Sequence, residues 1–145
     1  MIGLIQRVTR AEVSVEGHAL GAIGPGILAL IGVRPADDRP DAERLLERLL
    51  GYRIFADAAG RMSLSLADTG GGLLLVPQFT LAADTARGNR AGFSSAAPPE
   101  QARELFAYLV SRAQARHAPI ATGEFGAHMQ VMLVNDGPVT FWLDT

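Results

Sequence analysis

The chain of 145 residues contains no cysteine, so it has no disulfides and no thiolate-held zinc. Its histidines, His18, His117 and His128, are scattered without ligand spacing, and neither a metal nor any other cofactor is expected. Lysine is also missing, and all thirteen basic residues are arginine. A coding bias towards Arg and Ala is the simpler account of that; selection for planar phosphate-binding forks is the other. No uninterrupted apolar run approaches the ~20 residues of a membrane span. The start, Met1 to Arg7, lacks the charged-then-apolar order of a secretory signal, which leads us to expect a cytoplasmic protein. A formal net charge of −2 is not that of a strongly basic nucleic-acid binder, so any RNA contact should be local and modest.

What is present suits one domain over residues 1–145 with a substantial core, since 48% of the residues are hydrophobic. Ile2 to Val15 alternates as a strand, Glu16-Gly17-His18 turns, and Ala19 to Ile23 returns as a hairpin. Ile27 to Val33 reads as a buried strand. From Asp41 to Leu50, the leucines at 45, 46, 49 and 50 fall at helical spacing, with Glu43, Arg44, Glu47 and Arg48 outward. Met62 to Leu66 reads as a strand, and Gly70-Gly71-Gly72 breaks the chain before Leu73 to Val76. Pro98 and Pro99 open a second amphipathic helix with Ala102, Leu105, Phe106, Leu109, Val110 and Ala113 on its apolar face. Strands outnumber helices and come in groups, so the fold class expected is α+β rather than a doubly wound parallel sheet.

Two short segments stand out. Pro77-Gln78-Phe79-Thr80-Leu81 puts polar residues at the end of an apolar strand, a common place for a site. Asn135-Asp136-Gly137-Pro138-Val139-Thr140 lies between two β-rich runs, Met129–Val134 and Val139–Leu143, where a hairpin turn is the plain reading. Taken by themselves they supply no strong catalytic group. Thr80 as a nucleophile would need a histidine base, and neither segment has one. Asp84 and Asp136 could form an acid–base pair only if the fold joined them, and turn or capping roles suit both. Arg7, Arg10, Arg87 and Arg90 are candidate contacts to RNA, and Gly88-Asn89-Arg90-Ala91-Gly92 is a loop flexible enough to approach a sugar or phosphate.

These two segments resemble the signature motifs SQFTL and NxGPVT of the D-aminoacyl-tRNA deacylase family, at the separation that family shows. The resemblance extends to Met1-Ile2, Gln6 to Ala11, Gly51 to Phe55, Gln78 to Thr85 and Val134 to Leu143, nearly the whole chain. One position departs: the first motif begins with Pro77 instead of serine. A sister family of tRNA deacylases begins that motif with proline but then has alanine where this chain has Phe79. Pro77 removes a hydroxyl and a backbone donor beside Gln78.

The resemblance implies a compact, barrel-like sheet of mostly antiparallel strands flanked by two main helices, assembled as a homodimer. It implies hydrolysis of the ester of D-aminoacyl-tRNA, and of mischarged glycyl-tRNA, with L-amino acids rejected. An aminoacyl ester is already activated, so a placed water and oxyanion stabilisation suffice, here from main-chain amides near Phe79 and Thr80 with help from the terminal ribose 2′-hydroxyl. Gln78, Phe79 and Thr80 are the implied catalytic segment. Gly137 and Pro138, held cis and inserted into the partner's pocket, are implied to exclude any side chain on one face of the substrate's α-carbon. Arg7 is implied to hold that loop, and Phe125 and Met129 to line the pocket, although ordinary core packing accounts for those two equally well. Gln6 and Ala102 also match. Two other readings stay open: an editing deacylase for a small L-aminoacyl-tRNA, suggested by Pro77, and a catalytically silent tRNA-binding dimer.

Overall fold

The computed structural model describes residues 1–145. Its sheet is organised around the first strand, β1 (Ile2–Val15), whose alternating burial reflects the alternating sequence. β1 pairs antiparallel with β2 (His18–Ile23), with β3 (Gly26–Gly32) and, along nearly its whole length on the other side, with β8 (Met129–Asp144). The sheet continues from β3 to β6 (Gly72–Pro77) and then to the three-residue β7 (Ile120–Thr122), both in parallel register. The order is therefore β2-β1-β3-β6-β7, with β8 on β1. Three of the five pairings are antiparallel. The outer strands curl towards each other until β2 meets β7: a Cβ on Gly21 would lie 3.0 Å from Ala121 Cβ and 3.3 Å from Thr122 N. A side chain there would push the two strands apart by a few tenths of an ångström; with glycine they meet and leave the sheet a nearly closed barrel.

Both expected helices form. α1 (Arg39–Gly51) starts at a reciprocal cap in which Asp41 N donates to Asp38 Oδ1 and Asp38 N to Asp41 Oδ2, each at 3.2 Å, followed by Pro40 in the first turn. Its buried face is Ala42, Leu45, Leu46, Leu49 and Leu50. Full burial of a leucine is worth about 1.5–3 kcal/mol, so this face anchors the helix firmly to the sheet. The second long helix, Pro99–Arg116, packs beside α1 and buries Ala102, Leu105, Phe106, Leu109 and Ala113 in the same core. A smaller core on the opposite face joins Val8, Ala11, Val13, Ile23, Leu28, Leu74 and Val76, with Met129, Val131 and Leu133 of β8 packed on it.

Two local expectations are corrected and one strand is new. Met62 to Leu66 is not one strand: β5 (Met62–Leu64) pairs with β4 (Phe55–Ala56), and Ser65 then caps the one-turn α2 (Leu66–Thr69). Ser65 and Asp68 form a capping box, whose local bonds outcompete extension of the strand. β7 was not anticipated, being too short to show a period. Most consequentially, Asn135–Thr140 is no hairpin turn. Both flanking runs belong to β8 and both pair with β1 in one direction, Val8 opposite Asn135 and Gln6 opposite Thr140. Asp136, Gly137, Pro138 and Val139 therefore stand opposite Arg7 alone, as a wide bulge in a strand that never reverses.

Candidate active site

β6 delivers the first motif. Gln78 N donates to Ile31 O at 2.7 Å as the last bond of the parallel ladder, and the chain then tightens into a 3₁₀ turn, Phe79–Ala82. Leu81 N closes that turn on Gln78 O at 3.2 Å and Ala83 N bonds Thr80 O at 3.2 Å. The first amides of a helical turn have no partner inside it, which leaves those of Phe79 and Thr80 as donors outside the turn's own ladder. Gln78 Nε2 donates to Thr80 Oγ1 at 2.5 Å, the only hydrogen bond of that hydroxyl within the chain.

Beside this turn lies a pocket of about 270 Å³ walled by Val76 to Phe79 on one side and by Phe125 to Met129 with Val131 on the other. Gln78, Phe79, Phe125 and Met129 are thus brought together in one lining, of which Thr80 is not a member. Phe125 and Met129 serve both of the roles open to them. Phe125 also packs against the main core and Met129 against the smaller one. Met129 Sδ accepts from Glu124 N at 3.3 Å, which ties the two ends of that wall together. The polar character of the pocket comes from Gln78, from main chain and from His128, the one titratable side chain in its lining.

Pro77 proves structurally compatible with this site. Gln78 N faces β3 and Leu73 N donates to Pro119 O on the β7 side. By strand alternation, the position of Pro77's missing N–H also faces the β7 side, where β7 has already ended at Thr122. Its ring instead closes the pocket wall near Gly123, where a Cβ would lie 3.3 Å from Pro77 Cδ and 2.8 Å from Met129 Sδ.

The second motif is elsewhere. The Gly137–Pro138 bond is cis, Gly137 has φ +128°, and both residues are exposed. Arg7 grips the bulge: Nε lies 3.0 Å from Asp136 Oδ2 and 3.2 Å from Asp136 O, while Nη1 donates to Ile54 O at 2.6 Å. Asn135 closes it from below, donating through Nδ2 to Val139 O at 3.1 Å, while its buried Oδ1 has no partner. Neither Gly137 nor Pro138 lines the pocket. Val131, which does, is six residues away along β8, about 20 Å at strand spacing. One chain therefore does not bring the two motifs together.

Asp84 and Asp136 do not meet either; Asp84 accepts from Ala86 N at 2.9 Å and Asp136 pairs with Arg7. Gln6 bonds Thr140 Oγ1 at 3.2 Å, and Ala102 is buried in the core away from the pocket. No group of three or more histidine, aspartate or glutamate side chains is placed to hold a metal ion.

Sequence reasoning missed three neighbours of the site. His128 was set aside for want of ligand spacing, Arg103 lies over the Phe125 ring at 5.1 Å, and Phe93 packs on Phe79 with centroids 5.2 Å apart. Arg103 and Phe93 carry no local signal, because each reaches the site from another part of the chain, whereas His128 stands beside Met129 in the wall itself.

A model of the family described as D-Tyr-tRNA(Tyr) deacylase matches residues 4–144. The chain belongs to that family. It is 67% identical over 144 residues to the D-aminoacyl-tRNA deacylase of Thioalkalivibrio sulfidiphilus (strain HL-EbGR7), covering 99% of this chain and 97% of that protein. Among solved structures, the c-Myc DNA Unwinding Element Binding Protein is 38% identical with a TM-score of 0.95, over 100% of this chain and 99% of that one. A probable eukaryotic D-amino acid tRNA deacylase, 15% identical with a TM-score of 0.83 over 99% of this chain and 98% of that one, shares the fold.

Proposed function

We propose that this protein hydrolyses the ester bond of D-aminoacyl-tRNA, and of glycyl-tRNA, releasing the amino acid and tRNA and so proofreading chirality before translation. The observation that carries this reading is a pocket at the start of the Phe79–Ala82 turn, lined by Gln78 and Phe79, in a chain of the deacylase family. A water attacks the ester carbonyl, the amides of Phe79 and Thr80 stabilise the oxyanion, and the carbon–oxygen bond to the terminal ribose breaks as that oxygen takes a proton. One such donor is typically worth about 10²–10³ in rate, sufficient for an ester already activated. The neighbouring ribose hydroxyl assists, and Thr80 does not act as a covalent nucleophile.

In this reading the functional unit is a homodimer, each residue 1–145 chain being one deacylase domain. Gly137 and Pro138 of one copy enter the pocket of the other and crowd the face of the α-carbon where an L side chain would lie. Supporting this, the bulge is exposed, is held rigidly by Arg7, and does not reach its own pocket. β8 also offers a free edge with the exposed apolar side chains Met132, Val134 and Trp142, a surface suited to a second copy in an isologous pair. The partner is aminoacyl-tRNA and the compartment the cytoplasm. No helix is long and apolar enough to cross a membrane.

The test is release of labelled amino acid from D-tyrosyl-, L-tyrosyl-, glycyl- and L-alanyl-tRNA, with and without chelator. Cleavage of the D-tyrosyl and glycyl esters alone, unaffected by chelator, is expected. Cleavage of L-alanyl-tRNA would favour the sister activity that Pro77 suggests, and binding of tRNA without release would favour a silent binder.

A further inference from the structure

Two half-exposed phenyl rings meet at the mouth of the pocket. Phe79 is 53% and Phe93 49% exposed, their centroids are 5.2 Å apart, and their planes are tilted by 48°. Phe79 lines the pocket and Phe93 lies outside it, so the pair leads from the pocket on to the surface. Phe93 is fixed by its backbone surroundings. Asp84 and Gly92 exchange hydrogen bonds of 2.8 and 2.9 Å immediately before it, and Ser95 Oγ, two residues after it, donates to Ala82 O at 2.6 Å. The loop closed by that bridge carries Arg87 and Arg90, both exposed and neither in an ion pair. In a chain of net charge −2, the loop that leads into Phe93 thus carries two exposed guanidiniums outside any ion pair.

We propose that Phe79 and Phe93 form a stacking ledge for the unpaired bases that precede the terminal adenosine of the tRNA 3′ end, with Arg87 and Arg90 supplying positive charge for their phosphates. This rests on the deacylase reading, which places the terminal nucleoside in the pocket and so directs the preceding nucleotides across its rim. Single-stranded nucleic acid is held in this way, by aromatic faces that accept any base and by cations along the backbone. The ledge recognises an unpaired end rather than a sequence, which suits an enzyme acting on many tRNAs.

The test is binding, measured by fluorescence anisotropy, of an uncharged hairpin RNA ending in single-stranded CCA and of the same hairpin with abasic nucleotides in place of the two cytidines. The native protein should bind the first roughly tenfold more tightly. Phe93→Leu, which keeps apolar bulk but removes the π-face, should bring the two within about twofold. Arg87→Ala with Arg90→Ala should weaken both RNAs alike and reduce the salt dependence by about 1.4 in log–log slope. Equal binding of the two RNAs by the native protein would overturn the ledge, as would a Phe93→Leu protein that loses the same factor for both or changes its oligomeric state. Failure of the deacylase reading would appear separately, as no amino acid released from charged tRNA by the native protein.

Discussion

Arg7 and Asp136 are joined twice, once by an ion pair of 3.0 Å to the carboxylate and once by a hydrogen bond of 3.2 Å to the carbonyl, while the same guanidinium reaches Ile54 O at 2.6 Å. The bulge that carries Gly137 and Pro138 is thereby tied to the segment after α1. Arg7→Ala should destabilise the protein by about 2–4 kcal/mol, since a hydrogen bond to a charged group contributes about 1.5–3 kcal/mol. It should also abolish the preference for D-esters. Arg7→Lys should recover little, because one ammonium cannot span both partners as a planar fork does. Urea denaturation and the D-to-L cleavage ratio measure the two effects; an Arg7→Ala protein with full selectivity would remove the clamp from the mechanism.

Gly137 adopts φ +128°, and a Cβ there would lie 2.7 Å from Val139 Cγ2 and 3.1 Å from Arg7 Nη2. Gly137→Ala should therefore cost about 1–3 kcal/mol of stability through backbone strain, and displace the bulge. Activity on D-tyrosyl-tRNA should fall more than the loss of folded protein accounts for. Comparing active fraction with melting behaviour checks this.

Thr80→Ser retains the hydroxyl that accepts from Gln78 Nε2, and should keep activity within about tenfold of the native protein, because the chemistry is assigned to amides. Thr80→Val leaves the Gln78 amide without that partner and should lose more. A folded but inactive Thr80→Ser protein would count against main-chain catalysis.

Met132 and Val134 are 62% and 42% exposed on β8. Val134→Glu should leave the chain folded, since that side chain is outside both cores. If the proposed homodimer forms through this edge, the substitution should leave a monomer and abolish deacylation in parallel. Sedimentation velocity combined with the release assay tests whether the two losses coincide.

Acid should destabilise the fold. Hydrogen bonds from Ser63, with those from the Arg61 and Ala59 amides, hold the Asp57 carboxyl below the usual carboxylate range. Ser65 does the same for Asp68, and Tyr108, with Arg112, for Glu43. A carboxylate whose folded pKa is depressed contributes stability above its unfolded pKa, and that contribution is lost as pH falls through the folded value. Unfolding midpoints should thus hold near neutrality and drop below about pH 4. Asp68→Asn should flatten part of that drop, which a pH series of denaturation curves would reveal.

Much of this was legible in the chain itself. Side-chain period reports which face of a segment meets the core, and it correctly marked β1, α1 and the helix from Pro99, while an unbroken apolar run marked β3. It failed where other forces act: at Ser65, where a capping box ends a strand, and at Ile120–Thr122, where three residues show no period. The motif residues Gln78, Phe79, Gly137 and Pro138 could be named from sequence, but not Arg103 or Phe93, which become neighbours of the site only in space.

The sequence by itself determined the family, the segmental secondary structure and the absence of thiol chemistry, because local pattern and composition carry that information directly. Only the tertiary structure decided that Val8 faces Asn135 and Gln6 faces Thr140, turning an apparent hairpin into a bulge opposite Arg7. Strand partners are chosen by burial and hydrogen bonding across the whole chain, which no local window contains. The same long-range pairing carries Gly137 and Pro138 away from the pocket that Gln78 and Phe79 line.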